Sequence, residues 1–182
     1  MWHLVLACMA SFGAKEGIPV AMGDYCTQQP PSALVRQSGW VDVRSAYVLK
    51  HVRPRQVYNR EKSITLLLGK YPQFASLLNY NDNCQILNIT RLHQTHNKVC
   101  MDEDKERQVN YIFSVLEMLG IEPSTELYYG FNNNILVDDK GLVTVYDFGN
   151  YMYNAQPGYI RQVRDKLLGE LYKIYRCPLK IV

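Results

Sequence analysis

The stretch that most constrains the fold lies at residues 132–150 and reads NNNILVDDKGLVTVYDFGN. Two short runs of apolar and β-branched residues flank the turn-forming letters DDKG, with Gly141 at the turn. Such runs joined by a short glycine-containing turn predict a β-hairpin. Asn134 begins the first run and Asp147 follows the second, so we expect the hairpin to bring their side chains to one end.

Asn134 and Asp147 are suited by their chemistry to hold a hard divalent cation. Amide and carboxylate oxygens are the ligands that Mg²⁺ prefers, usually together with water and substrate phosphates. Gly149 follows Asp147 closely and would let the chain turn sharply after the strand. The sequence therefore predicts a metal site made by Asn134 and Asp147.

The remaining pattern alternates between strands and amphipathic helices. Alternating valines predict an antiparallel pair at residues 39–44 and 45–52, and residues 83–92 form another strand candidate. Apolar residues at helical spacing predict helices at residues 57–68, ending at Gly69, at 105–119, ending at Gly120, and at 159–175. This order indicates an α+β fold in two lobes.

Lys50 and Glu61 each interrupt an apolar face. Strand alternation places Lys50 with Ala46, Val48 and Val52. Helical spacing places Glu61 with Val57, Ile64 and Leu68. A buried carboxylate without a partner costs about 1–3 kcal/mol, and a Lys50–Glu61 ion pair removes that cost. The alternative is that both are half-exposed boundary residues with solvated charges.

These residues resemble the active-site motifs of the protein-kinase-like superfamily. Asn134-Ile135-Leu136 and Asp147-Phe148-Gly149 are similar to its catalytic-loop Asn and DFG motif, and AYVLK, which ends at Lys50, is similar to its VAIK strand. The resemblance implies a two-lobed protein-kinase-like fold with a minimal C-terminal lobe. It implies that Lys50 holds ATP phosphates, Glu61 orients Lys50, and Asn134 and Asp147 hold Mg²⁺ or Mn²⁺. Residues 89–92 would contact adenine as a hinge.

The chain departs from that family's pattern in three places. Residues 38–43, SGWVDV, resemble the glycine-rich phosphate loop but keep only Gly39 of its three glycines. Tyr129 stands where the family has its catalytic aspartate, and a phenol of ordinary pKa is a poor general base at neutral pH. The tail after Gly149 is short and lacks Ala-Pro-Glu. These departures leave the question of phosphotransfer undecided. The alternatives to an active kinase are a pseudokinase or secreted interaction module, and a truncated product without independent function.

Within the superfamily, YYGFNNNILV and the spaced cysteines look most similar to the divergent protein kinase domain proteins of the secretory pathway. Compact bacterial or viral effector kinases are the competing relatives. The expected organisation is a candidate signal peptide at 1–14, a lead-in segment at 15–37, an N-terminal lobe and hinge at 38–92, and a reduced C-terminal lobe at 93–182.

The first residues, MWHLVLACMASFGA, predict either a secretory signal peptide or a buried first strand or helix. If a leader is removed with Cys8, the four remaining cysteines can form two disulfides in an oxidising compartment. They are Cys26, Cys84, Cys100 and Cys177. We expect a secretory or extracellular protein, with the cytoplasm as the alternative. The glycosylation sequon at Asn88 lies in a predicted strand.

Composition weighs against other classes of function. The net charge is +3, and the Lys and Arg residues are scattered, so we expect no nucleic-acid partner. No run of about 18 apolar residues is present, so we expect no transmembrane helix. His93 and His96 have a metal-compatible spacing, but no carboxylate or cysteine joins them, which favours solvated histidines. The expected partners are ATP and a protein substrate or binding partner.

Overall fold

The computed structural model describes residues 26, 29–36, 38–93, 100–125, 127 and 134–175. The predicted signal peptide and most of the lead-in segment lie outside the described residues. So do Tyr129, His96 and Cys177. In the described part the chain is mixed α+β, which confirms the predicted class.

A five-stranded antiparallel sheet forms the N-terminal part. Its strands are β1 (Leu34–Arg36), β2 (Gly39–Val43), β3 (Tyr47–Val52), β4 (Leu77–Asn81) and β5 (Ile86–Thr90), in the order β1-β2-β3-β5-β4. The predicted antiparallel pair is present as β2 and β3, in which Val41 pairs with Lys50. β1 lies inside the predicted lead-in segment. Its three residues are all exposed, so no apolar alternation marked it as a strand.

Three helices have described bounds, namely α1 (Arg55–Leu68), α2 (Glu103–Met118) and α3 (Pro157–Ile174). Gly69 caps α1, as predicted. The side chain of Asp102 caps α2 by accepting the N–H of Lys105 at 2.9 Å. Across the part of the chain that the structure describes, no helix has both the length and the apolar character to cross a membrane.

Two small antiparallel pairs complete the described elements. β6 (Ile121–Glu122) pairs with β9 (Met152–Tyr153), and β7 (Ile135–Val137) pairs with β8 (Val143–Val145). The second pair is the predicted hairpin, and Gly141 adopts φ 81° in its turn. Asp138 stabilises this turn because its carboxylate accepts the N–H groups of Lys140 and Leu142.

The main apolar core joins the three helices to the β7–β8 hairpin. Its fully buried members include Ile64, Leu68, Ile112, Leu116 and Val145. Phe148 is also buried in it, with its ring centroid 6.2 Å from that of Phe74 and 5.3 Å from that of Tyr151. Since Phe148 follows Asp147 directly, this packing restricts the position of the Asp147 backbone.

Candidate functional site

A cavity of about 310 Å³ lies between the sheet and the β7–β8 hairpin. Apolar side chains form most of its wall, namely Val41, Val43, Val48, Ile89, Leu92 and Leu136. Lys50, Glu61 and Asp147 bring charge to it, and Thr90, Arg91 and Tyr146 complete the lining. An apolar cavity of this size with a few convergent polar groups is typical of a small-molecule site.

Lys50 connects two carboxylates that come from different parts of the chain. Its Nζ lies 2.7 Å from Oε1 of Glu61 and 2.5 Å from Oδ1 of Asp147. The Glu61 side chain is 1% exposed and that of Lys50 is 16% exposed, whereas Asp147 is 44% exposed. The predicted Lys50–Glu61 ion pair is therefore present, and the idea that both residues are half-exposed boundary residues is wrong for Glu61.

Burial and neighbouring charges shift the pKa values of Lys50 and Glu61 in opposite directions. Burial lowers the pKa of the Lys50 ammonium, but the carboxylates of Glu61 and Asp147 outweigh burial and raise that pKa above its ordinary value. Burial raises the pKa of the Glu61 carboxyl, although Lys50 opposes the increase. Lys50 is thus charged at neutral pH, and the ionisation of Glu61 depends on that charge.

Gly149 is closely packed, and its backbone angles do not themselves need glycine. A Cβ atom at this position would lie 3.1 Å from Oε2 of Glu61, 3.5 Å from Oδ1 of Asp147 and 3.6 Å from Nζ of Lys50. The left-handed backbone of this turn belongs to Asp147, with φ 63°. The prediction that Gly149 supplies the sharp turn is therefore corrected.

Asn134 lies at the same end of the hairpin as Asp147. Its backbone carbonyl accepts the N–H of Tyr146 at 3.1 Å, one position beyond the pairing of Ile135 with Val145. Asn134 is buried, at 5% exposed. The structure thus brings the two predicted metal ligands to neighbouring positions across the hairpin, and ligation itself stays a prediction.

The donor set near Asp147 fits a magnesium ion that is shared with phosphates. Oδ1 of Asp147 engages Lys50, whereas no described residue forms a hydrogen bond with its Oδ2. Among the residues that the structure describes, no three His, Cys, Asp or Glu side chains gather into a metal-binding group. Mg²⁺ is commonly held by one or two carboxylates with phosphate and water oxygens, so Asp147 and Asn134 suit this kind of site.

The other residues that the sequence predicted for the site differ in whether they line the cavity. Residues 89–92, the predicted hinge, line the cavity. Gly39 does not line it. A Cβ on Gly39 would lie 1.9 Å from the backbone oxygen of His51, so close strand packing requires this glycine. Its predicted contact with phosphate stays a prediction. His93 is exposed beyond the hinge segment.

Arg60 is a residue of the site that the sequence did not indicate. Its Nη2 donates to the backbone oxygen of Gly149 at 2.7 Å, and its Nη1 lies 3.2 Å from the sulfur of Met152. The Tyr153 hydroxyl donates to Ser63 at 2.9 Å. Helix α1 therefore holds both Lys50, through Glu61, and the segment that follows Asp147.

Cys26 and Cys84 lie at disulfide distance, with Cα atoms 4.7 Å apart. The pair joins the segment before β1 to the turn between β4 and β5.

The sequon residue Asn88 pairs with Leu49 inside the sheet, and the Thr90 hydroxyl accepts the Ser76 N–H at 2.9 Å. The sequon is thus part of a strand, as predicted.

No protein-family model matches this chain, and no curated protein matches it either. The geometry of the cavity and the motifs of the sequence are therefore the grounds on which a function can be proposed.

Proposed function

We propose that this chain is a protein-kinase-like domain that binds ATP together with Mg²⁺ or Mn²⁺ in the cavity. The observation that carries the proposal is the position of Lys50 between Glu61 and Asp147 at one end of an apolar-walled cavity. A buried carboxylate that holds a lysine toward a second, partly exposed carboxylate is the arrangement that a kinase site uses to grip phosphates and metal.

The cavity walls suit a purine base. Val43 and Val48, which pair across β2 and β3, lie on the sheet side, and Leu136 of the hairpin lines the cavity as well. Flat aromatic groups bind well between such apolar surfaces because they lose contact with water. A base placed near residues 89–92 would direct its phosphates toward Lys50.

Lys50 would bind the phosphates through its ammonium, and Glu61 would keep the ammonium in place. Asp147 and Asn134 would hold the divalent cation, which neutralises phosphate charge when bound. Asp147 would then exchange its contact with Lys50 for a contact with the cation. Its 44% exposed side chain favours this exchange because the carboxylate is already open to the cavity.

A pseudokinase or secreted interaction module is the second candidate, and Tyr129 favours it. The residue stands where the general base of the family is expected, and it lies outside the described residues. Loss of such a base lowers a rate by roughly 10²- to 10⁴-fold, whereas nucleotide binding does not require it. ATP binding and phosphotransfer are therefore separate parts of the proposal.

We further propose that the protein folds in the secretory pathway. The support is the Cys26–Cys84 pair, since disulfides persist in oxidising compartments. Peptide mapping of the protein from a eukaryotic secretory expression host, without reduction, should find these cysteines linked. Two free thiols in that material would contradict this location.

Isothermal titration calorimetry of ATP binding tests the main proposal. The parent chain should bind ATP with Mg²⁺ or Mn²⁺ and bind it more weakly when metal is chelated. Asp147→Asn should remove most of the metal dependence, and Lys50→Met should weaken binding with or without metal. Asp165→Asn, a substitution on the exposed surface of α3, serves as the charge-matched control.

Two outcomes separate the candidates. If the parent binds metal-ATP and transfers its γ-phosphate to water or to a protein, the domain is an active phosphotransferase. If it binds metal-ATP without turnover, the pseudokinase is favoured. Absence of any ATP binding by a folded parent chain would contradict the proposal as a whole.

A further inference from the structure

Strand β1 carries a cation on the face of the sheet that lines the cavity. Leu34 pairs with Val41, and Arg36 pairs with Gly39. Directly paired residues of an antiparallel sheet project to the same face, and residues two apart on a strand do so as well. Val41 lines the cavity, so Arg36 projects from β1 on the cavity side of the sheet.

The strand register also gives the position of Arg36 along the cavity. Val48 pairs with Ile89 beside the hinge. Lys50 pairs with Val41, one step further from the hinge. Val52 lies two residues beyond Lys50 on β3, in the direction away from the hinge, and pairs with Gly39, which is also the partner of Arg36. Val52 is itself buried against Tyr58 of α1, which covers this level of the face at β3. A ligand that extends from the hinge past Lys50 on the side of β2 and β1 would therefore reach the level of Arg36.

The side chains of Arg36 and Lys50 are long enough to contact a ligand that lies between them. Arg36 is two strands from β3, which is about 10 Å, and its level is two residues beyond Lys50, which is about 7 Å along the strands. The two Cα atoms are thus about 12 Å apart by this geometry. A chain of phosphates between them can be approached by both long side chains.

The surroundings of Arg36 leave its guanidinium available. The residue is exposed, and none of the described residues forms an ion pair or hydrogen bond with its side chain. Its partner Gly39 has no side chain, so nothing on β2 at this level shields it from the cavity. Arginine binds phosphate with paired N–H groups, which makes it a strong partner for a nucleotide.

We propose that Arg36 contacts the terminal phosphates of the nucleotide and makes the site selective for the number of phosphates. Its side chain would supply charge next to residues 38–43, which keep only Gly39 of the three glycines that the family uses to bring backbone amides close to phosphate. This inference rests on the proposed ATP-binding function. It adds a specificity-determining residue on β1 to Lys50 and Asp147.

Calorimetric titration of ATP, ADP and adenosine, each with Mg²⁺, tests the role of Arg36. The variants are Arg36→Ala and a swap that combines Val35→Arg with Arg36→Val. The swap keeps the net charge and moves the cation to the opposite face, where Val35 pairs with Trp40. Arg161→Ala, an exposed position on α3, is the control for loss of one charge.

We expect Arg36→Ala and the swap to weaken ATP binding about fivefold to tenfold, and ADP binding by less. Adenosine binding should stay within about twofold of the parent value, because the base lies near the hinge. Equal ATP affinity in the parent and both variants overturns the role of Arg36 and leaves the proposed function intact. Equal loss for ATP and adenosine also overturns it, because Arg36 would then support the pocket rather than the phosphates. Failure of the parent to bind ATP overturns both proposals.

Discussion

The ammonium of Lys50 lies 2.5 Å from Oδ1 of Asp147, a residue 97 positions later in the chain. The same ammonium lies 2.7 Å from Oε1 of Glu61 in α1. Three separate segments, β3, α1 and the turn after β8, therefore meet at one cation. A change in any of them should alter both the stability of the fold and the binding of a charged ligand.

Lys50→Met should lower the free energy of unfolding by about 3–5 kcal/mol at neutral pH, because it leaves the buried carboxylate of Glu61 without its cation. Adding Glu61→Leu should recover most of this loss, since the buried charge is then removed as well. Urea denaturation of both single variants and the double variant measures the effect. Additive losses in the double variant would show that the two residues are not coupled.

The Lys50→Met variant should also gain a characteristic pH dependence. Burial raises the folded-state pKa of Glu61, and loss of Lys50 removes the main opposing effect. A raised folded pKa favours folding when the carboxyl is protonated, so this stability is present at low pH and is lost as the pH rises through the folded pKa. The deficit relative to the parent should be smaller at about pH 5 than at about pH 8. An equal deficit at both pH values would argue against burial of Glu61.

Gly149→Ala should weaken metal-ATP binding by about tenfold and destabilise the fold by about 1–3 kcal/mol. The new Cβ would lie 3.1 Å from Oε2 of Glu61, whose side chain is 1% exposed and is paired with Lys50. Calorimetry and urea denaturation measure the two effects. Gly169→Ala in α3 is the matched control, because its Cβ meets nothing within 4 Å, and it should stabilise the helix by about 0.5–1 kcal/mol. Unchanged ATP affinity and stability in Gly149→Ala would mean that the cluster around Lys50 is loosely packed.

Arg60→Ala should loosen the segment that follows Asp147. The substitution removes the bond to the Gly149 carbonyl, and a hydrogen bond from a charged group contributes about 1.5–3 kcal/mol. Hydrogen exchange measured by mass spectrometry should become faster at residues 149–153. Arg107→Ala on the exposed surface of α2 should leave this segment unchanged. Unchanged exchange in Arg60→Ala would contradict the anchoring of this segment by α1.

Asp102→Ala should lower stability by about 1 kcal/mol at neutral pH, because Asp102 caps α2. The side chain and backbone N–H of Lys105 hold the pKa of the Asp102 carboxyl below its ordinary value. A lowered folded pKa contributes stability above the unfolded pKa, and that contribution is lost as the pH falls through the folded pKa. Urea denaturation as a function of pH should therefore show parent and variant converging in acid. A difference that persists at low pH would assign the effect to packing instead.

Patterns with strong periodicity were sufficient to predict much of this fold. The pairing of β2 with β3, the β7–β8 hairpin and the end of α1 at Gly69 all follow from local alternation or helical spacing. β4 was not predicted, because its central residues are polar or exposed and it carries no buried alternation. Short edge strands of this kind form through their partners rather than through their own sequence.

The sequence likewise predicts one part of the candidate site and not the other. The Lys50–Glu61 pair could be predicted, because each charge interrupts an apolar face and one explains the other. The bond from Arg60 to Gly149 could not, since 89 positions separate the two residues and Arg60 breaks no pattern. The left-handed backbone of Asp147 could not be predicted either, because no local pattern marks it and the next residue, Phe148, packs against Phe74, which is distant in the sequence.

Thermal unfolding of the parent chain with ATP, with and without Mg²⁺ or Mn²⁺, tests nucleotide binding most directly. At a concentration 100 times the dissociation constant, ATP with metal should add about 2.7 kcal/mol of stability. For a chain of this size that corresponds to an increase of roughly 5–10 °C in Tm, with a clearly smaller increase when metal is chelated. A Tm that does not respond to ATP under either condition would contradict the assignment of this cavity as a nucleotide site.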